Sequence, residues 1–85
     1  MAEEKEIGKI THYFGKISVG IIELTNPLKV GDKIHIKGNA TDFEQEVNSM
    51  QIEHEEVQEG KSGDSVGTKV DGLVKEGDLV YLVTE

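Results

Sequence analysis

Apolar residues in this chain recur at every second position, and no segment keeps a spacing of three or four over three helical turns. That period commits the chain to strands, where successive side chains point to opposite faces of a sheet. Residues 7–14 (IGKITHYF) set Ile7, Lys9, Thr11 and Tyr13 against Gly8, Ile10, His12 and Phe14. Residues 16–24 (KISVGIIEL) set Ile17, Val19 and Ile21 against Lys16, Ser18 and Gly20. The adjacent Ile21 and Ile22 predict a bulge or bend after Gly20. Residues 25–28 (TNPL) read as a turn in which Pro27 fixes one φ, and residues 33–37 (KIHIK) alternate again. Residues 38–42 (GNATD) read as a polar loop. In residues 43–54 (FEQEVNSMQIEH), Phe43 and Val47 share one parity while Met50 and Ile52 share the other, which predicts a bulge near Asn48 and Ser49. Residues 66–70 and 79–83 are two further strands, and no helix is expected.

The dipeptide Gly-Asp occurs three times, at Gly31-Asp32, Gly63-Asp64 and Gly77-Asp78, each time ahead of a strand. The approaches LKVGD and VKEGD match. Glycine supplies the positive φ of a tight turn, and aspartate hydrogen-bonds local amides. The repeat therefore reads as a recurring turn into a strand rather than as three aspartates gathered on a metal. Five or six short strands at this spacing fit a small closed or nearly closed β-barrel, which leaves no open sheet edge.

A chain of 85 residues makes one small domain. Residues 1–6 read as an acidic tail and residues 7–85 as the domain. Only 35% of residues are apolar, so nearly every Val, Ile and Leu is needed for the core. There is no cysteine, which excludes disulfides and thiolate metal sites. The opening MAEEKEIG has no apolar signal-peptide core, and no apolar run approaches the ~20 residues of a membrane span. A cytoplasmic protein away from membranes is expected. The net charge of −8 is uneven: residues 1–42 hold six acids and six lysines, whereas residues 43–85 hold eleven acids and three lysines. Arginine, the usual bidentate ligand of phosphates and guanines, is absent. An acidic chain without arginine is a poor general binder of nucleic acid.

Gly60-Lys61-Ser62 resembles the end of a phosphate loop, but the first glycine of that motif would fall at Glu55. Glu53, Glu55, Glu56 and Glu59 would repel a triphosphate, and no helix follows. His54 lies beside Glu55 and Glu56, yet H-E-x-x-H fails because residue 58 is Gln. Asn39-Ala40-Thr41 is a glycosylation sequon without a secretory signal. No Gly-x-Ser-x-Gly elbow positions a nucleophile. The expectation is a non-enzyme with no cofactor and no metal.

The stretch NSMQIEHEEVQEGKSGDSVGTKV resembles the second-domain β-barrel of translational GTPases, above all the elongation factors that deliver aminoacyl-tRNA. Ser49-Met50-Gln51-Ile52 and Gly63-Asp64-Ser65-Val66-Gly67 carry the resemblance. Gly8-Lys9-Ile10, Val19-Gly20 and Leu28-Lys29-Val30-Gly31-Asp32 extend it over residues 7–83. As a whole the sequence looks like free-standing, single-barrel proteins that resemble translation elongation factors. It is also similar to the C-terminal barrels of U32-type collagenase-like peptidases, through Asn26-Pro27-Leu28-Lys29-Val30-Gly31-Asp32 and the ending KVDGLVKEGDLV. The resemblance implies an all-β fold, a small closed Greek-key-type β-barrel of about six strands of the translation-protein type. The GTP-hydrolysing part of those factors lies in a separate domain outside the resemblance, so no GTPase activity is implied.

The first functional expectation is a non-catalytic binding module for a protein or ribonucleoprotein partner. If alternation holds, Lys9, Thr11, Tyr13, Lys16, Ser18, Lys33, His35 and Lys37 point outward, opposite the acidic segment 43–59. The candidate binding residues are Lys9, Tyr13, Lys16, Lys33, His35 and Lys37, a lysine patch able to make weak RNA contact, with Tyr13 stacking on a base. The second is an accessory or self-assembling domain serving a separately encoded enzyme. A metal-dependent enzyme using His12, His35 and His54 ranks last.

Overall fold

A computed structural model describes residues 3–53 and 55–84. Among them are ten strands and no helix: β1 (Glu3–Phe14), β2 (Val19–Leu24), β3 (Leu28–Lys29), β4 (Lys33–Lys37), β5 (Asp42–Glu46), β6 (Met50–Ile52), β7 (Glu55–Val57), β8 (Glu59–Gly60), β9 (Ser65–Lys69) and β10 (Leu79–Thr84). Eight form one sheet in the order β5-β4-β10-β1-β2-β9-β6-β7, and β3 pairs with β8 in a second. Every pairing is antiparallel.

Ile7, Ile10, Ile22, Leu24, Leu28, Ile34, Ile36, Val47, Met50, Val66, Val70, Val74 and Val80 make one buried cluster inside the curled sheet. The strand count exceeds the expected six because β3, β7 and β8 are only two or three residues long, too short to display a period. The backbone ladder is also open, with β5 and β7 at its two ends. Gln45, buried on β5, reaches the end of β9 and the segment after it. Its Nε2 donates to the Lys69 carbonyl at 2.8 Å, and its Oε1 accepts the Asp71 amide at 2.7 Å.

Four local expectations are corrected. Residues 3–6 are not a tail; they continue β1 and pair with Thr84, Val83, Leu82 and Tyr81. The parity change between Val47 and Met50 is no bulge: β5 ends at Glu46 and β6 starts at Met50, and the two are separate strands that do not pair, β5 at one end of the sheet and β6 between β9 and β7. The irregularity expected in β2 lies instead in β1, where the register slips between Ile10 and His12. Finally, β2 turns Gly20, Ile22 and Leu24 inward, so Val19 and Ile21 face outward and Ile17 in the β1–β2 turn is 62% exposed.

The three Gly-Asp turns are one device used three times. Lys29, Lys61 and Lys75 stand three residues before the aspartate, a shared Lys-x-Gly-Asp pattern. In each, the Asp amide donates to the Lys carbonyl at 3.0–3.1 Å, and the Lys amide donates to Asp Oδ2 at 2.8–2.9 Å. The glycine φ values are 99°, 93° and 92°, which with the i-to-i+3 bond defines a type II turn. Each turn then docks on one buried residue through reciprocal backbone bonds: Gly31 and Asp32 on Val47, Gly63 and Asp64 on Leu24, Gly77 and Asp78 on Ile10, at 2.7–2.8 Å. The three carboxylates serve their own turns, as the sequence reading held. The GKS triplet dissolves in the same way: Gly60 packs against Leu24 and Val66, and Lys61 opens the second turn.

Candidate functional site

Two surface features have a built geometry. The first is an apolar groove of about 330 Å³ on the outer face of β2, β9 and β6, lined by Phe14, Ile17, Val19, Ile21, Gln51, Glu53, Ser65 and Gly67. Ile21 faces Gly67 in register. Because Gly67 has no side chain, Ile21 and Val19 lie over its backbone, 3.3 and 3.4 Å from where a Cβ would stand. Phe14 is 51% exposed at the rim. A chain with so few apolar residues leaves several of them here in water.

The second feature lies on the outer face of β4 and β5. Register sets Lys33 against Glu46, His35 against Glu44 and Lys37 against Asp42. Glu4 on β1 reaches the same place past β10. His35 Nδ1 lies 2.7 Å from Glu4 Oε2 and 4.0 Å from Glu44 Oε2, and its Nε2 is hydrogen-bonded to Asp42 Oδ1. Lys33 pairs with Glu44 Oε1 at 3.2 Å, and Lys37 lies 3.8 Å from Glu4 Oε1 and 5.7 Å from the Tyr81 ring centre. The hydrogen bond to Asp42, then the one to Glu4, raise the His35 pKa above its ordinary value, against a smaller opposing effect of burial. The bond from His35 lowers the pKa of Asp42.

The candidate binding residues are thus divided. Lys33, His35 and Lys37 do share a face, but with Glu4, Asp42 and Glu44, so the acids at the start of segment 43–59 stand beside the lysines rather than opposite them. Lys9 lies on β1 and Lys16 in the β1–β2 turn, away from that cluster. Tyr13 is half-buried and packs on the core, because the slip at Thr11 flips the strand. His12 meets Glu76 at 3.5 Å on an exposed surface, a different setting from that of His35. His54 lies outside the described residues. Sequence reasoning missed the His35 cluster and the groove. His35, Asp42 and Glu44 face one another across the β4–β5 hairpin, which register could have predicted; Glu4 comes from a distant strand. No described helix is long and apolar enough to cross a membrane.

No protein-family model matches the chain. Among curated proteins it is 48% identical over 81 residues to an uncharacterised protease of Methanocaldococcus jannaschii, a match covering 94% of this chain and 20% of that protein. It is 37% identical over 73 residues to elongation factor 1-alpha of Pyrococcus horikoshii, covering 76% of this chain and 17% of the factor. The chain therefore spans a fifth or less of the length of the curated relatives it matches. Two crystal structures of the C-terminal domain of a Geobacillus thermoleovorans protein described as a U32 peptidase superpose with a TM-score of 0.85 at 16% identity. The match covers 89% of this chain and, in the selenomethionine form, 96% of that domain. Both resemblances read from the sequence are present: the chain is similar to a segment of a protease and to a segment of elongation factor 1-alpha, and it shares the fold of a peptidase's C-terminal domain.

Proposed function

We propose that this chain is a non-catalytic accessory module that docks on an enzyme of the peptidase class. The observation that carries the reading is the groove of Phe14, Ile17, Val19 and Ile21 over Gly67, an apolar surface left open on a small acidic chain. Exposed contiguous apolar surface marks sites of protein contact. The occupant is argued from the relative: in the Methanocaldococcus jannaschii protease the matching segment is 20% of a longer protein, so the rest of such an enzyme is the natural neighbour of this surface. Gln45 supports reading the curled sheet as a translation-factor-like barrel, with β5 held to the end of β9 by a side chain. The ribonucleoprotein alternative has less support, since Lys33 and Lys37 are already engaged by carboxylates.

The test is a calorimetric titration of this chain into the Methanocaldococcus jannaschii protease trimmed of its matching segment. The reading predicts saturable binding that survives high salt and is lost in the Phe14→Ser/Ile17→Ser double variant. No binding, or binding unchanged in that variant, contradicts it.

A further inference from the structure

The cluster around His35 contains more order than a set of surface ion pairs requires. Asp42 accepts a hydrogen bond from Nε2, so that nitrogen carries a proton. In the neutral ring the other nitrogen, Nδ1, then presents a lone pair. That lone pair faces Glu4 Oε2 at 2.7 Å and Glu44 Oε2 at 4.0 Å. Without a metal, a proton on Nδ1 fills that space and bonds to Glu4 Oε2; a cation that displaces the proton meets the same lone pair and the same two carboxylate oxygens. Each glutamate is also divided in the same sense: Oε1 of Glu44 is held by Lys33 and Oε1 of Glu4 by Lys37, while both Oε2 atoms turn to the ring.

We propose that His35 Nδ1, Glu4 Oε2 and Glu44 Oε2 form a binding site for a divalent transition-metal cation of the zinc type. Asp42, Lys33 and Lys37 form its outer shell. The three ligand atoms lie within 4.8 Å of one another. Zinc bonds of ~2.0–2.2 Å in a tetrahedral arrangement put ligand atoms about 3.3–3.6 Å apart. The observed 2.7 and 4.0 Å bracket that spacing, so small side-chain torsions complete it. The carboxylate–histidine–metal relay through Asp42 is the usual second-shell device: it fixes the tautomer and orients the ring. Two carboxylate ligands balance the dication, and the two lysines offset Asp42. One imidazole with two carboxylates favours a transition metal over the all-oxygen preference of calcium and magnesium. The His35 side chain is only 12% exposed, while Glu4 and Glu44 are 29% and 41% exposed, so a cation would reach the site from the carboxylate side. A bound cation would tie β1, β4 and β5 together across β10. None of Glu4, His35, Asp42 and Glu44 lines the groove, and Glu4 stands near the opposite end of β1 from Phe14, so the site stands or falls independently of docking.

The test is calorimetry and thermal melting of the chelator-treated 85-residue chain with Zn²⁺, with Mg²⁺ as comparison. A single Zn²⁺ is taken up per chain, the melting temperature rises with Zn²⁺ concentration, and Mg²⁺ produces no such rise. Affinity falls on acidification as a proton takes Nδ1. Glu44→Gln, at a half-exposed position that tolerates the change, weakens uptake at least about tenfold, as does His35→Asn, and Asp42→Asn weakens it about 10–100-fold. Lys16→Gln changes nothing. In ¹⁵N spectra of the imidazole, Zn²⁺ moves the Nδ1 signal and leaves the Nε2 proton in place. The proposal is overturned if the wild-type chain shows no saturable uptake, if Glu44→Gln binds as well as wild type, or if Nδ1 keeps its proton at saturating Zn²⁺.

Discussion

Asp78 and Gly38 touch so closely that a Cβ on Gly38 would stand 1.9 Å from Asp78 Oδ1. The carboxylate cannot move aside freely: it is buried, and its Oδ2 accepts the Lys75 amide at 2.8 Å. The third Lys-x-Gly-Asp turn is therefore wedged against the β4–β5 loop. Gly38→Ala should lower stability by about 1–3 kcal/mol, the usual cost of overpacking. Urea unfolding of the variant checks this; an unchanged midpoint would mean the turn yields.

The three aspartates make the same bond in different surroundings. Asp78 is buried, whereas the bonds of Asp32 and Asp64 to Lys29 and Lys61 are exposed. Asp78→Ala should cost about 1–3 kcal/mol, because it orphans a sheltered amide, and Asp32→Ala and Asp64→Ala about 0.5–1.5 kcal/mol each. Thermal melts of the three variants rank them. Equal losses would show that burial does not set the difference.

Gln45 joins β5 to the segment after β9 with two hydrogen bonds. Gln45→Leu keeps the volume but leaves the Lys69 carbonyl and the Asp71 amide without partners, at about 1–3 kcal/mol per group. Hydrogen exchange at the Asp71 amide gives the local readout. Protection should collapse there before the core strands open; retained protection would mean that another group holds that amide.

Much of this fold is legible in the sequence where a strand has partners on both sides and no irregularity. In β4, Ile34 and Ile36 are buried and Lys33, His35 and Lys37 face out, as alternation requires. The Gly-Asp repeat likewise announces its turns. Alternation in β1 and β2 is equally clear, but it does not say which parity faces the core. The slip at Thr11 decides that for Tyr13, and the pairing of Ile22 with β1 and β9 and of Leu24 with β1 decides it for Val19 and Ile21. Glu4 and His35 are 31 residues apart, and only the insertion of β10 between β1 and β4 brings them together. Local pattern contains no trace of that contact.

His35 and Asp42 give stability a definite pH dependence when chelator keeps cations away. His35 has a folded pKa raised above 6.5, so its contribution is complete below 6.5 and is lost as pH rises through the folded value. Asp42 has a folded pKa below 3.8, so its contribution is present above 3.8 and is lost as pH falls through the lowered value. The stability difference between wild type and His35→Gln should therefore be greatest between about pH 4 and 6.5 and shrink on both sides. Chemical denaturation across that range measures it. A difference that grows above pH 7 would contradict the assignment.

Phe14 and Ile17 are exposed and contribute little to the core, so replacing both with serine should change stability by no more than about ±0.5 kcal/mol per site. The same change should abolish docking. The most direct measurement is a tagged pull-down from the native host at low and high salt, comparing wild type with Phe14→Ser/Ile17→Ser and identifying protein and RNA. The account predicts that a peptidase is retained by wild type at high salt and absent from the variant. Ribosomal proteins or tRNA held equally by both at low salt, and released by high salt, would contradict it.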